Sequence, residues 1–327
     1  MRNKKIGFLA AVFAMVLALN ACQSGGGGTG EPGADGGEKI KVAMISKGFQ
    51  HQFWQAVKAG AEEKSAELGV EMTFEGPASE TEVETQLQML QTAIDQSPDV
   101  IAFAALDPEA CIPLYDTAQT ANIPIVEFDA GCNSEYPTNI SKTDSKVAGA
   151  LAAEEMVKKM GETGEVGIVS HTQINSTGVE RRDGFVEKMK EYPGIKIVDI
   201  QYGDGDHLKS ADITKAMISA HPNLTGLYGT NEGSAIGIVN ALNENKVEKG
   251  KYTVIGFDAG KAQVDAVRDG VMTGAITQDP KEIGRQTIES AVKAAKGEEV
   301  EKVIDTGSFF YNSENVDSED MKEKLYD

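Results

Sequence analysis

The residues with chemistry to offer in this 327-residue chain are four histidines, three cysteines, one tryptophan and a surplus of carboxylates. The histidines (His51, His171, His207 and His221) lack metal-ligand spacing, and no His-Glu-x-x-His, Gly-x-Ser-x-Gly or Cys-x-x-Cys run occurs. Gly256-Phe257-Asp258-Ala259-Gly260-Lys261 has three residues between its glycines where a phosphate loop has four, and Ala262 follows the lysine. Gly203-x-Gly205 follows a late strand and lacks the third glycine of a dinucleotide loop. Catalysis therefore has no signature here, and no metal or cofactor is expected. What remains is a set of hydrogen-bonding side chains, each placed just after an apolar run: Ser46-Lys47, Asp107, Asp129, His171, Thr230-Asn231, Asp258 and Gln278.

Those positions acquire meaning from the elements that carry them. Short β-branched runs recur from Ile40 onward, at 41–45, 70–74, 100–104, 123–128, 166–169, 195–200, 224–228, 252–257 and 271–276, with amphipathic helical segments between. The segment 53–68 reads as one such helix. Another starts at Ser79, with Glu82 at capping-box spacing and Val83, Leu87, Leu90 and Ile94 along one face. Strands alternating with helices mean βαβ units and parallel sheets, and in such sheets ligands sit beyond the carboxyl ends of the strands. Side chains just after each strand are thus where a binding site is expected.

The N-terminus reads as an export signal. Met1-Arg2-Asn3-Lys4-Lys5 is a charged start, 6–19 is an uncharged, mainly apolar run too short to span a bilayer, and Leu19-Asn20-Ala21-Cys22 follows. This resembles the lipobox of bacterial lipoproteins, which implies cleavage before Cys22 and diacylation of its thiol, a membrane anchor; an ordinary signal peptide with an incidental cysteine is the alternative. The Gly-rich stretch to residue 38 reads as a flexible tether. Loss of Arg2, Lys4 and Lys5 with the signal takes the net charge from −20 to −23. So acidic a chain will not seek nucleic acid or an anionic lipid surface. About 290 residues remain, more than one core commonly serves, so two lobes are expected. Only Cys111 and Cys132 are then left, and in an oxidising compartment they either close a disulfide or stay free.

Six segments in order resemble the type I periplasmic binding proteins of the ribose, galactose and autoinducer group, over essentially the whole mature chain. They are Phe53-Trp54, Ala121-Asn122-Ile123-Pro124-Ile125-Val126 leading to Asp129, Arg181-Arg182-Asp183-Gly184-Phe185, Gly229-Thr230-Asn231-Glu232, Val254-Ile255-Gly256-Phe257-Asp258, and Thr277-Gln278 before Pro280. The resemblance implies two doubly wound parallel-sheet α/β lobes joined by a three-strand hinge: 39–142 with 279–305, and 143–278 with 306–327. It implies a monomer that traps a sugar-like ligand for an ABC permease and its ATPase subunits. It makes Phe53 and Trp54 stacking candidates against a sugar ring, and Asp129, Asn231, Asp258 and Gln278 partners for its hydroxyls. Structural alternatives stand beside each: core packing for Trp54, a helix N-cap for Asp258, a turn residue for Asn231.

Departures from the ribose pattern are specific. Ala104-Ala105 stand where ribose binders have Asn, Ala130 stands where they have Arg after the aspartate, and Val179 replaces a further Arg. Three lost polar contacts argue against ribose itself. Lys47, His51, Gly76-Pro77 and Cys111-Ile112-Pro113 look more like the autoinducer-binding branch, although its Asp-Gln pair is not evident within His171–Thr177. Lys47 and His51 are therefore ligand candidates, Lys47 either facing a carbonyl, carboxylate or hydroxylated surface or being a solvated cleft-edge charge. An importer component for a monosaccharide is the expected function; a sensory binding protein for a sugar or furanose signal, a nucleoside-binding lipoprotein and a lipoprotein enzyme are the alternatives.

Overall fold

The computed structural model describes residues 39–326; Cys22 and the tether lie outside the described residues. Two six-stranded sheets form. The first runs β11(Val303–Asp305), β5(Ile140–Lys142), β4(Ile125–Phe128), β3(Val100–Phe103), β1(Lys41–Ile45), β2(Glu71–Glu75), all parallel. The second runs β12(Phe309–Asn312), β10(Gly274–Thr277), β9(Thr253–Phe257), β8(Leu224–Gly229), β6(Gly164–Ser170), β7(Ile195–Tyr202), with only β12 antiparallel. Without the edge strands β11 and β12, both orders are the same doubly wound pattern, so the lobes are structural repeats. The central strands β3, β4 and β10 are buried along their whole length, as strands covered by helices on both faces must be.

The chain passes between the sheets three times: after β5, after β10, and between β11 and β12. Strands β5, β11 and β12, three or four residues each, were not legible as apolar runs because so few residues cannot display a period of two. They lie at or next to sheet edges, and the crossings run between them.

Helix α2 spans Val83–Gln96, starting four residues later than the capping-box reading placed it. Half of the box exists, since Ser79 N–H donates to Glu82 Oε1 at 2.9 Å, but the Ser79 hydroxyl pairs with Thr81 instead of capping the helix. The segment 79–82 is thereby kept as a loop over the cleft.

In each lobe a glycine pair sets the helix that bears on the cleft. In the first lobe, α1(Gln52–Leu68) packs on α9(Pro280–Ala295) through Gly60 and Gly284; a Cβ at Gly60 would lie 2.0 Å from the Lys281 carbonyl oxygen. In the second, α4(Ser145–Met160) packs on α5(Ser176–Met189) through Gly149 and Gly184, where a Cβ at Gly149 would lie 2.2 Å from the Arg181 carbonyl oxygen. Small residues allow backbones to approach where any side chain would hold them apart. The first contact fixes the helix bearing Phe53 and Trp54, the second the helix bearing Arg181.

Candidate functional site

Every one of the eight side chains expected to meet a ligand lines one small cavity: Lys47, His51, Phe53, Trp54, Asp129, Asn231, Asp258 and Gln278. Glu80, His171 and Arg181 complete the wall. Both sheets contribute. Lys47 and Asp129 follow β1 and β4 of the first sheet, whereas His171, Asp258 and Gln278 follow β6, β9 and β10 of the second. A wider cavity adjoins it, sharing Glu80 and His171 and lined also by Asp107, Ile174 and Asn175. Asp107 belongs to that outer cavity, where its Oδ1 accepts the Glu109 and Ala110 N–H groups ahead of α3(Ile112–Thr120).

Asp129 and Asp258 follow corresponding strands of the two repeats, and both take left-handed backbone angles, φ +59° and +80°. Asp tolerates this region better than most residues, at a cost of order 1 kcal/mol. Asp129 Oδ2 lies 2.8 Å from Lys47 Nζ, and both side chains are almost wholly buried. Lys47 is therefore no solvated edge charge. Its ammonium also reaches across to the second lobe, 3.4 Å from Asn175 Oδ1 and 3.3 Å from Thr177 Oγ1. With its charge met by Asp129 and its three N–H groups directed at Asp129, Asn175 and Thr177, it presents no net cation, which removes the reason to expect a carboxylate ligand.

Asp258 does not cap a helix at its own position. Its Oδ2 accepts the Glu232 N–H at 3.0 Å and its Oδ1 accepts Gln278 Nε2 at 2.7 Å, while its backbone carbonyl accepts the Tyr311 hydroxyl. Burial raises the Asp258 carboxyl above its ordinary value, partly offset by Arg181 and the Gln278 bond. Asn231 does cap: its Oδ1 accepts the Ser234 N–H of α7(Glu232–Glu244) at 2.9 Å, while its side chain also lines the cavity. Trp54 likewise serves twice. It is 1% exposed, packs edge-on against Phe53 and Phe128, and donates its Nε1–H to Glu80 Oε1 at 2.8 Å.

Sequence reasoning missed Glu80 and Arg181 as site residues and singled out His171 only by its place after a strand. Burial alone would raise the Glu80 carboxyl, but Lys47, His51 and the Trp54 N–H together bring it below its ordinary value. Arg181 lies face-on to the Phe257 ring at 3.7 Å, and its Nη1 donates to the Thr230 carbonyl. Burial pushes both imidazoles down, His171 well below the ordinary histidine value with Arg181 as the next cause, so both are neutral rings able to accept as well as donate. His171 bonds the hydroxyls of Thr230 and Thr177. Among these groups, Gln278 Oε1 and Arg181 Nε are buried without a hydrogen-bond partner in the protein.

A buried, polar cavity with aromatic and neutral imidazole walls, closed from both sides by strand ends, is a receptor for one small molecule. The family described as periplasmic binding protein domain matches residues 42–299. The chain belongs to that family. Its members are substrate-binding transport proteins, so this binding protein is not an enzyme. It is 30% identical over 271 residues to the D-allose-binding periplasmic protein of Escherichia coli, covering 80% of this chain and 86% of that one. It is 25% identical over 263 residues to the ribose import binding protein of the same organism, covering 80% and 87%. An ABC transporter solute binding protein from Agrobacterium vitis with bound D-fucose superposes with a TM-score of 0.84 at 30% identity, covering 88% of this chain and 100% of that one. A carbohydrate transporter solute binding protein from Agrobacterium radiobacter in complex with D-arabinose gives 0.84 and 30%, over 88% and 99%. The binding protein's described residues contain no helix long and apolar enough to cross a membrane, and no cluster fit to hold a metal ion.

Proposed function

We propose that the protein is the extracytoplasmic substrate-binding component of an ABC importer, holding a neutral monosaccharide between its two lobes and tethered to the membrane through a lipid on Cys22. The observation that carries this reading is the convergence of Lys47, His51, Phe53, Trp54, Asp129, Asn231, Asp258 and Gln278 from both lobes on one buried cavity. A sugar ring presents an apolar C–H face and a belt of hydroxyls. Phe53 and Trp54 suit the first, and the Asp, Asn, Gln and neutral His side chains suit the second. Gln278 Oε1 and Arg181 Nε would gain in a hydroxyl the partner they lack. Relatives of known ligand bind D-allose, ribose, D-fucose and D-arabinose, which sets the range to search.

Ligand held by both lobes stabilises their closed arrangement, and that shape is what a permease would read. The test is a thermal-shift and calorimetric screen of the mature protein against aldopentoses, aldohexoses, 6-deoxyhexoses, furanoses and nucleosides. At least one neutral monosaccharide should raise the melting temperature and bind at one site. A response to nucleosides alone, or to none of these, defeats the sugar reading. Metabolic labelling with a fatty acid, compared with Cys22→Ala, tests the anchor; equal labelling would refute it.

A further inference from the structure

Two helices that begin where the two lobes face one another are left uncapped by their own residues. At the start of α1, the N-cap residue His51 makes no side-chain cap bond and no acidic residue occupies the first turn. At the start of α8(Lys261–Arg268), the N-cap is Gly260, which has no side chain, and the first turn again holds no acid. Each helix N-terminus leaves N–H groups without intrahelical partners, and a local side chain commonly meets one of them.

Here the partners come from across the lobe gap. Glu232, first residue of α7 in the second lobe, accepts the Gln52 N–H on Oε1 at 3.1 Å and the Phe53 N–H on Oε2 at 3.3 Å, both at the start of α1 in the first lobe. In return Gln52 Oε1 accepts the Lys261 N–H at 2.7 Å, at the start of α8 in the second lobe. Both arms pack around Gly260, where a Cβ would lie 2.9 Å from Gln52 Oε1 and from Glu232 Oε1. Glu232 itself is 3% exposed, and its backbone N–H is held by Asp258.

We propose that Glu232 and Gln52 form a reciprocal cross-lobe helix cap that exists only in the closed clamp, and so help set the protein's affinity for its ligand without being among the side chains that line the ligand cavity. This rests on the two-lobed binding reading above. Once the lobes part, water can solvate all three N–H groups and the carboxylate, so the cap adds free energy only to closure. Burial and the neighbouring Asp258 raise the Glu232 carboxyl to about 7, so at pH 8 it is a carboxylate that also meets the positive end of α1.

The test measures, at pH 8, the affinities of the wild type, Glu232→Ala, Glu232→Gln, Gln52→Ala and the Glu232→Ala/Gln52→Ala double variant for every sugar in a panel of D-allose, D-ribose, D-fucose and D-arabinose that the wild type binds. Glu232→Ala should weaken all of them by one common factor, roughly five- to tenfold, expressed as faster dissociation, and Glu232→Gln, which keeps one acceptor, should recover part of the loss. Losses that differ from sugar to sugar, or an affinity within about twofold of wild type, would overturn the cap. Amide exchange at Gln52, Phe53 and Lys261, followed with the same panel present, provides an arm that does not need a measured affinity. Faster exchange in the alanine variants supports the cap and equal exchange overturns it, whereas a wild type that binds no sugar at all defeats the transport reading instead.

Discussion

Lys47 Nζ stands 2.8 Å from Asp129 Oδ2 with the two side chains 4% and 3% exposed, and the same ammonium touches Asn175 and Thr177 of the opposite lobe. One charge pair therefore joins the floor of the site to its closure. Removing a single partner from a buried pair leaves an uncompensated charge, which costs about 3–5 kcal/mol, far more than loss of an exposed bridge. Lys47→Met is expected to lower unfolding free energy by that order, and Lys47→Met/Asp129→Asn to regain most of it while still failing to bind sugar. Urea unfolding read beside calorimetry checks this; a single variant as stable as wild type would show the pair to be unimportant.

Asp258 carries two protein hydrogen bonds, from the Glu232 N–H and from Gln278 Nε2. Asp258→Ala should therefore abolish most sugar binding and also release Gln278 from its orientation. Asn231→Ala should lose a helix cap, worth about 1 kcal/mol of stability, together with a cavity contact. Both variants should retain the wild-type circular dichroism spectrum. Unchanged affinity in both would mean that the ligand binds elsewhere.

The placement of Asp129, Asp258 and Gln278 was legible because a polar side chain directly after a buried parallel strand is a poor choice for stability alone, and the strand runs were clear. Glu80 was not legible. It lies in a loop five residues past β2 and is drawn over the cavity by Gln50, whose Oε1 accepts its N–H at 2.8 Å, a contact between residues 30 apart with no periodic signal. Arg181 hid for another reason: an arginine inside a helix reads as solvent-facing, and only the small neighbours Gly178 and Gly184 hint that its face of α5 is buried. The short strands at the lobe crossings were illegible because pairing, not pattern, makes them strands.

Glu127 predicts a pH dependence of stability. Its carboxyl sits in the first lobe, with Oε1 accepting the Tyr115 hydroxyl at 2.9 Å and the Cys132 N–H at 2.7 Å, and burial raises it to about 7. In the unfolded chain it titrates near the ordinary glutamate value of about 4.3. The folded state thus binds the proton more tightly, and stability from this group is fully present below about pH 4.3 and falls as pH rises through about 7, by roughly 4 kcal/mol in all. Glu127→Gln keeps an acceptor for both donors and should remove that slope, so its advantage over wild type grows between pH 5 and pH 8. Parallel slopes for the two proteins in chemical denaturation would contradict the assignment.

Cys111 and Cys132 are joined as a disulfide across a sequence separation of 21, one at the start of α3 and the other three residues past Asp129. Closing a loop of that length removes freedom from the unfolded chain worth about 3 kcal/mol, before any strain in the native state. The bond also fastens the far end of the turn that presents Asp129, whose near end is held by the Asp129 N–H on the Ser141 carbonyl at 2.9 Å and by β4 itself. Cys111→Ala/Cys132→Ala should therefore lower stability by about 3 kcal/mol while leaving the core intact, since both sulfurs sit in the apolar cluster with Phe103, Tyr115 and Ile123. Sugar affinity should fall less than it does in the Lys47 variant, because the Lys47 pairing and the Ser141 bond still orient the aspartate. Thermal unfolding with and without a thiol reductant decides the matter: wild type treated with reductant should match the double alanine variant, and a wild type indifferent to reductant, with free thiols detectable in it, would show that the two cysteines are not joined in solution.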